Sequence, residues 1–390
     1  MVEIKPLEKK FDYKKYKYYL LSGIVVLILI GIFRIQLGQI GNFLFGVTID
    51  KAINLAVKDE DFSMLILGIG GEKHEGPDLT DTIIYANIST KDKRADLISI
   101  PRDLWVGSSK SKINAIYTFG KKEDKGIEKI RDAVAEVVGS KIDYVLVIDF
   151  KGFVSLIDHL GGIEVDVERS FEDSEYPISG KEDDLCGHSE EDLELLSTAS
   201  SQLEAFPCRY QTVKFEKGRQ IMDGKTALSY VRSRHGTSGE GSDFARSRRQ
   251  QRVIEAVKNK TLSLEILLNP IKVIGIYNII QGNIDTNIQV DKMDDFIKLA
   301  KKLQTGTIRS FVIDSGDDIQ DRPGLLINPP INSDVNFQWV LVPRKGISDY
   351  SEIHEYAKCI SMGGLCIVTK NGLATPTPAV SPSIIDESDK

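Results

Sequence analysis

The sequence predicts an α/β protein, an α-β-α sandwich built on a mixed central sheet, with an N-terminal transmembrane helix. Three observations support this. Between residues 62 and 167, short apolar or β-branched runs alternate with stretches of helical spacing, the mark of helices layered on a sheet. A lysine-rich start leads into an uncharged run long enough to cross a bilayer. The 390 residues suffice for two or three domains and at least one large core.

Lys5, Lys9, Lys10, Lys14, Lys15 and Lys17 precede the uncharged run from Tyr18 to Phe33. Arg34 interrupts it but can snorkel, and apolar residues continue to Leu37. Residues 18–37 therefore read as a signal-anchor. A cleaved signal peptide is the rival reading, but the run is long for one and no A-x-A-like site follows. The lysines keep residues 1–17 cytoplasmic and place the rest of this single-pass protein outside the cell membrane.

Residues 38–60 read as a membrane-proximal helix or stalk. The main domain is expected over 61–260, an extension packing on it over 261–370, and a disordered Thr/Pro/Ser-rich tail over 371–390. Strands are predicted at Met64 to Leu67, Thr82 to Ile88 and Ala95 to Ile100. Ile127, Ile130, Val134 and Val138 space a helix from Asp124 that Gly139 stops. A strand at Tyr144 to Phe150, a helix to Leu160 and a strand at Ile163 to Val167 continue the alternation. Glu172 to Cys208 is acidic and weakly periodic, a surface insertion. A short helix over Asp223 to Tyr230 follows. Later elements are a helix at Asp291 to Leu303, strands at Ile308 to Ile313 and Trp339 to Val342, and a closing helix at Tyr350 to Ile360.

Past Arg34 the chain carries 43 basic against 54 acidic residues. A body that acidic does not bind nucleic acid through bulk charge. Four cysteines are no disulfide scaffold, yet an even count in an oxidising compartment permits two bridges. Proximity suggests Cys186–Cys208 and Cys359–Cys366 among three possible pairings, and neither pair has zinc-site spacing.

Against this acidic background, Tyr230 to Arg252 holds six arginines, at 232, 234, 246, 248, 249 and 252. A strand over Tyr230 to Arg234 would put Arg232 and Arg234 on one face. Ser242 or Asp243 then caps a helix to about Lys258, with Arg246, Gln250, Val253 and Val257 on one stripe and Arg248 and Arg252 opposite. Arg248, Arg249 and Arg252 are expected to be solvated. Two guanidinium groups about 6 Å apart repel by roughly 3 kcal/mol at an effective dielectric of 20. Converging Arg232, Arg234 and Arg246 therefore call for an anion, and their planar forks suit phosphate oxygens.

Three further segments carry candidate chemistry. LGIGGEKHEGPDLTDT, residues 67 to 82, is a strand end and Gly-rich loop leading to Asp81, a good place for a hard-metal ligand. ISIPRDLW, residues 98 to 105, sets Arg102 and Asp103 at a strand end. KINAIY, residues 112 to 117, adds Lys112. Each alone is compatible with an ordinary turn or ion pair. Trp105 is expected in the core rather than on a substrate platform. Ser99 and Ser233 have no base partner in sequence, and the histidines lack ligand spacing, with His235 a possible contact near the site.

Taken in order, LGxGG…LTDT, SIPRD, KIN-A-Y and YVRSR…SDFARSRRQ resemble the LytR–CpsA–Psr family of bacterial cell-wall proteins, over about residues 62 to 256. The resemblance implies a membrane-anchored extracellular phosphotransferase, its catalytic domain over 61–260. It would move a glycopolymer from a polyprenyl (pyro)phosphate carrier to peptidoglycan through a phosphodiester. Arg102, Lys112, Arg232, Arg234, Arg246 and Gln250 would hold phosphates. Asp81 would bind Mg²⁺, and Asp103 would orient an arginine or take the acceptor's proton. Many relatives carry an acid where this chain has Gly70, so metal binding here is expected to depend on the substrate. Alternatives are a polyprenyl-phosphate-binding regulator of the envelope and a lipid pyrophosphatase.

Overall fold

Side chains alternate across the first strand, and that alternation separates two interiors. In β1 (Asp61–Ile69), Leu65, Leu67 and Ile69 face one way and Met64 and Ile66 the other. The computed structural model describes residues 61–374, apart from 72–75, 193–198, 200 and scattered positions between 262 and 320. The expected anchor at 18–37, with its flanking tail and stalk, lies outside the described residues. Among those described, no helix is long and apolar enough to cross a membrane.

β2 (Thr80–Ser89) and β3 (Arg94–Ser99) continue as antiparallel neighbours of β1. The short pair β4 (Trp105–Val106) and β5 (Ser111–Lys112) leads into α1 (Ile113–Lys121) and α2 (Gly126–Val138). Gly139 ends α2 in the left-handed conformation, as its position in the sequence predicts. β6 (Tyr144–Asp149) returns parallel to β1 and runs into α3 (Phe150–Leu160). β11 (Ile284–Thr286) and β12 (Thr307–Val312) close the edges, giving the mixed order β11-β6-β1-β2-β3-β12.

Leu65, Leu67, Ile83 and Ile98 pack under Ile113, Ile130 and Val134 of α1 and α2. A closing helix at Ser351–Ser361 adds Ile353 and Ile360 to the same interior. Each fully buried Leu or Ile contributes about 1.5–3 kcal/mol relative to exposure. On the other face of the sheet, α3 packs with α4 (Gly224–Arg232) and α5 (Asp243–Thr261) around β7 (Ile163–Val167) and β10 (Gly218–Met222). At Gly224 an added Cβ would sit 2.4 Å from the carbonyl oxygen of Val154, so only glycine lets α4 start against α3.

Several expectations are corrected. Tyr230–Arg234 is not a strand. Ala227, Tyr230 and Val231 bury one face at helical spacing, so the helix expected to end at Tyr230 continues to Arg232. The segment from Glu172 is not simply a surface insertion. β8 (Phe171–Pro177) pairs with β9 (Tyr210–Phe215), and Cys186–Cys208 ties the excursion between them. Cys359–Cys366 also forms. Of Trp339 to Val342, only Val342 joins a two-residue strand, against Ile327. Gly372–Ala374, expected in a disordered tail, pairs with Ile367–Thr369. The helix expected over 291–303 lies largely outside the described residues.

Candidate functional site

The second face of the sheet does not close against its helices. Ile66, Ile84 and Ile148 from the sheet, Phe153 from α3, and Val253 and Val257 from α5 line a cavity of about 590 Å³. Protein interiors pack to crystal-like density, so a gap of this size is no packing defect but a pocket of ligand dimensions with a largely apolar wall. Val253 and Val257 lie on the stripe that the sequence assigns to the inward face of α5.

A charged rim belongs to the same cavity. Asp81, Arg102, Arg232, Arg234, Arg246 and Gln250 all line it. Gly68 pairs with Thr82 but Ile69 pairs with Thr80, which makes Asp81 the extra residue of a β-bulge. Bulges re-aim side chains, and this one sets Asp81 among the arginines. Its Oδ1 accepts from Nη1 of Arg102 at 2.6 Å and lies 3.5 Å from Nη2 of Arg234. The chain thus supplies part of the anion that the converging guanidiniums require. The Arg232 guanidinium lies over the Phe150 ring at 4.3 Å, and its Nη1 donates to the Tyr176 hydroxyl at 3.4 Å. Gln250 Nε2 donates to Thr82 Oγ1 at 3.0 Å, linking α5 to the mouth.

Asp103 and Lys112 form a neighbouring pair. Lys112 Nζ donates to Asp103 Oδ1 at 2.7 Å, and Asp103 Oδ2 lies 3.5 Å from Arg102 Nε. The run Lys112–Asp103–Arg102–Asp81 is therefore continuous.

Two buried groups hold the arginine segment in place. Asp173, 1% exposed, accepts from Ser233 Oγ at 2.6 Å and from the amides of Arg234 and His235 at 3.0 and 3.2 Å. Burial opposes its charge, but these bonds and one from the Glu175 amide outweigh it and hold the carboxyl below its ordinary range. The second group is Arg249, which corrects the expectation of a solvated side chain. It is 2% exposed and donates to Tyr230 O, Glu240 O, Glu240 Oε2 and Ser233 O at 2.6–2.9 Å. It satisfies carbonyls at the C-terminus of α4, which a helix leaves without intrahelical partners. Burial pushes its guanidinium below the ordinary value, against the pull of Glu240. Arg248 and Arg252 do point away, toward Glu240 and Glu168. Trp105 is core, as expected.

The sequence reading missed Asp149, Asp173, Glu175 and Tyr176, all on the cavity wall. Asp149 had a usable signal, an acid at a strand's carboxyl end, where α/β sheets bind ligands. It caps α3 by accepting from the Gly152 amide at 2.6 Å. Gly71, at φ +84°, brings the Gly-rich loop so close that an added Cβ would lie 3.2 Å from Asp149.

For a hard cation, Asp81 is the fitting donor, because it stands at the mouth among the arginines and, among the described residues, only its Oδ1 is engaged, by Arg102 and Arg234, whereas Asp173 is buried under four hydrogen bonds. Mg²⁺ commonly takes one or two carboxylates and completes its shell with substrate phosphates and water. These residues fit that mode. Among the described residues, the one three-ligand cluster is Asp184 with Cys186 and Cys208, whose sulfurs are joined in the disulfide.

Comparison with known proteins places the site in context. The model of the LytR_cpsA_psr family matches residues 46–323. The Bacillus licheniformis polyisoprenyl-teichoic acid–peptidoglycan teichoic acid transferase TagU is 26% identical over 321 residues, 77% of this chain and 87% of the relative. The regulatory protein MsrR of Staphylococcus aureus is 27% identical over 234 residues, 58% of this chain and 57% of the relative. In fold, the chain is similar to crystalline TagV of B. subtilis, with a TM-score of 0.51 at 22% identity, covering 79% of this chain and 99% of that one.

Proposed function

The chain belongs to the LytR_cpsA_psr family, and from that premise we propose that it is a membrane-anchored transferase acting outside the cell membrane. It moves a glycopolymer from a polyprenyl diphosphate carrier to peptidoglycan. The observation that carries this reading is the junction of the 590 Å³ apolar cavity with the rim of Arg102, Arg232, Arg234 and Arg246. A prenyl chain needs the first and its diphosphate the second.

In the reaction, an acceptor hydroxyl attacks the glycan-bearing phosphorus. A new P–O bond completes the phosphodiester, the P–O–P bridge breaks, and prenyl phosphate leaves while the hydroxyl proton passes to Asp103 or water. Charge grows on the leaving phosphate. Arginines fixed in advance stabilise it without reorganising at the moment of reaction. Arg232 is held by the Phe150 face, Arg234 by the Asp173 contact to its backbone, and Arg102 by Asp81 and Asp103. Arg246 and Gln250 approach from α5, and Lys112 holds Asp103. Mg²⁺ bound at Asp81 would supply further charge neutralisation.

The test gives the full-length protein a polyprenyl-diphosphate glycan, peptidoglycan and Mg²⁺. Phosphodiester-linked product supports the reading. Phosphate release without transfer makes the protein a lipid pyrophosphatase. Tight binding with neither makes it a polyprenyl-phosphate-binding regulator; the relative MsrR is named a regulatory protein.

A further inference from the structure

Residues 326 to 342 lie beyond the span matched by the family model and pack beside the arginine site. The Leu341 amide donates to the Asp103 carbonyl at 3.0 Å, and the Trp105 amide to the Leu341 carbonyl at 2.8 Å. Val335, Val340 and Val342 bury themselves against Trp105. Yet two aromatics of the same loop face solvent, Phe337 at 73% exposure and Trp339 at 52%. Burying them would be favourable, so their exposure marks a contact surface.

The loop is also built to hold that surface. Asn336 and Phe337 both adopt left-handed backbone, φ +51° and +56°, which a bulky side chain rarely does. Hydrogen bonds fix the strain in place. The Phe337 amide donates to Asn332 O at 2.8 Å, the Gln338 amide to Val335 O at 3.0 Å, and Asn336 Nδ2 to Lys110 O at 3.2 Å.

Position and composition select the occupant. Lys112 Nζ lies 5.9 Å from the centre of the Trp339 ring and 2.7 Å from Asp103 Oδ1. The ring is therefore within one disaccharide's length of the carboxylate at the reaction centre. From 326 to 342 there is no lysine or arginine, one acid at Asp334, and four amides at Asn328, Asn332, Asn336 and Gln338. The neighbouring cations Lys112 and Arg344 are paired with Asp103 and Glu352, so the loop does not present the basic cluster that binds an anionic lipid surface. Asn328, Asn332 and Asn336 spend their amides on holding the loop, and Gln338 stands between the two rings in sequence. Aromatic faces beside an amide suit a neutral polyhydroxylated ligand, whose C–H faces stack on rings.

We propose that Phe337 and Trp339 form a platform for the amino-sugar rings of the acceptor glycan, delivering its hydroxyl to the Asp103–Lys112 side of the site. The proposal rests on the transfer reading and adds the acceptor subsite to it.

Two experiments on the full-length protein test it. The chain has two tryptophans, and Trp105 is buried, so Trp339 reports on solvent-side events. Titration with tetra-N-acetylchitotetraose, a neutral β-1,4-linked amino-sugar oligomer, should shift the emission saturably, and Phe337→Ala should weaken the response. An unchanged emission, or a shift with anionic vesicles but not with the sugar, overturns the platform. In transfer assays, Trp339→Ala should raise KM for peptidoglycan about tenfold, leave prenyl diphosphate binding intact, and be rescued largely by Trp339→Phe. Unchanged KM with transfer intact overturns the platform and spares the transfer reading. If wild-type protein does not transfer, that reading fails, and the titration still decides whether the ring binds sugar.

Discussion

Nη1 of Arg102 donates to Oδ1 of Asp81 across 2.6 Å, joining the loop after β3 to the bulge at the head of β2. The carboxylate thereby competes with any phosphate for the same guanidinium. Asp81→Asn should leave diphosphate binding in EDTA unchanged or tighter, because an internal anion is gone. Transfer should fall about 10–100-fold and lose its response to Mg²⁺. Parallel titrations with and without Mg²⁺ separate the two effects. Retained Mg²⁺ dependence would remove Asp81 from the metal site.

The inward and outward arginines should separate kinetically. Arg102→Ala, Arg232→Ala and Arg246→Ala should each cost about 2–4 kcal/mol of transition-state stabilisation, read from kcat/KM. Arg248→Ala and Arg252→Ala should change kcat/KM little, since both pair with acids away from the cavity. Equal losses at all five positions would contradict the assignment.

Arg249 should behave differently, as a stability residue. Arg249→Met leaves Glu240 and the Ser233 and Tyr230 carbonyls without their buried partner. Such losses typically cost about 3–5 kcal/mol, against under about 1 kcal/mol for an exposed pair such as Arg252–Glu168. Urea unfolding of the two variants makes the comparison.

Asp173 predicts an acid limit. Its carboxyl is held below its ordinary value, so the stability it adds is present above the unfolded carboxylate value of about 3.9. That stability is lost as pH falls through the lower folded value. Stability of wild type and Asp173→Asn, measured from about pH 2 to 7, should differ by about 1–3 kcal/mol near neutrality and converge in acid. A gap that persists undiminished in acid would mean the charge is not what anchors Arg234.

Much of this was legible in the sequence because it rests on local signals. β1, β2, β3 and β6 follow from apolar runs, α3 from its stop at Gly161 and Gly162, and the inward stripe of α5 from Arg246, Gln250, Val253 and Val257. Strand alternation brings Arg232 and Arg234 to one site for the wrong reason. Five residues of alternation cannot be told from the last turn of a helix, and Ala227, Tyr230 and Val231 settle the matter through tertiary burial. Arg249 reads as solvated because nothing nearby in sequence announces Glu240 and the Ser233 carbonyl as its partners. Asp173 was hidden for the same reason, 60 positions from Ser233. The exposed face of Trp339 depends on a loop docking against Asp103 from over 200 residues away, which no local pattern encodes.

The most direct measurement is an experimental structure of the protein with a prenyl diphosphate bound. The account predicts the prenyl chain between the sheet and α3–α5, against Ile66, Phe153 and Val257, with its phosphates among Arg102, Arg232, Arg234 and Arg246. A diphosphate bound elsewhere, or a prenyl chain lying outside the cavity, would contradict it.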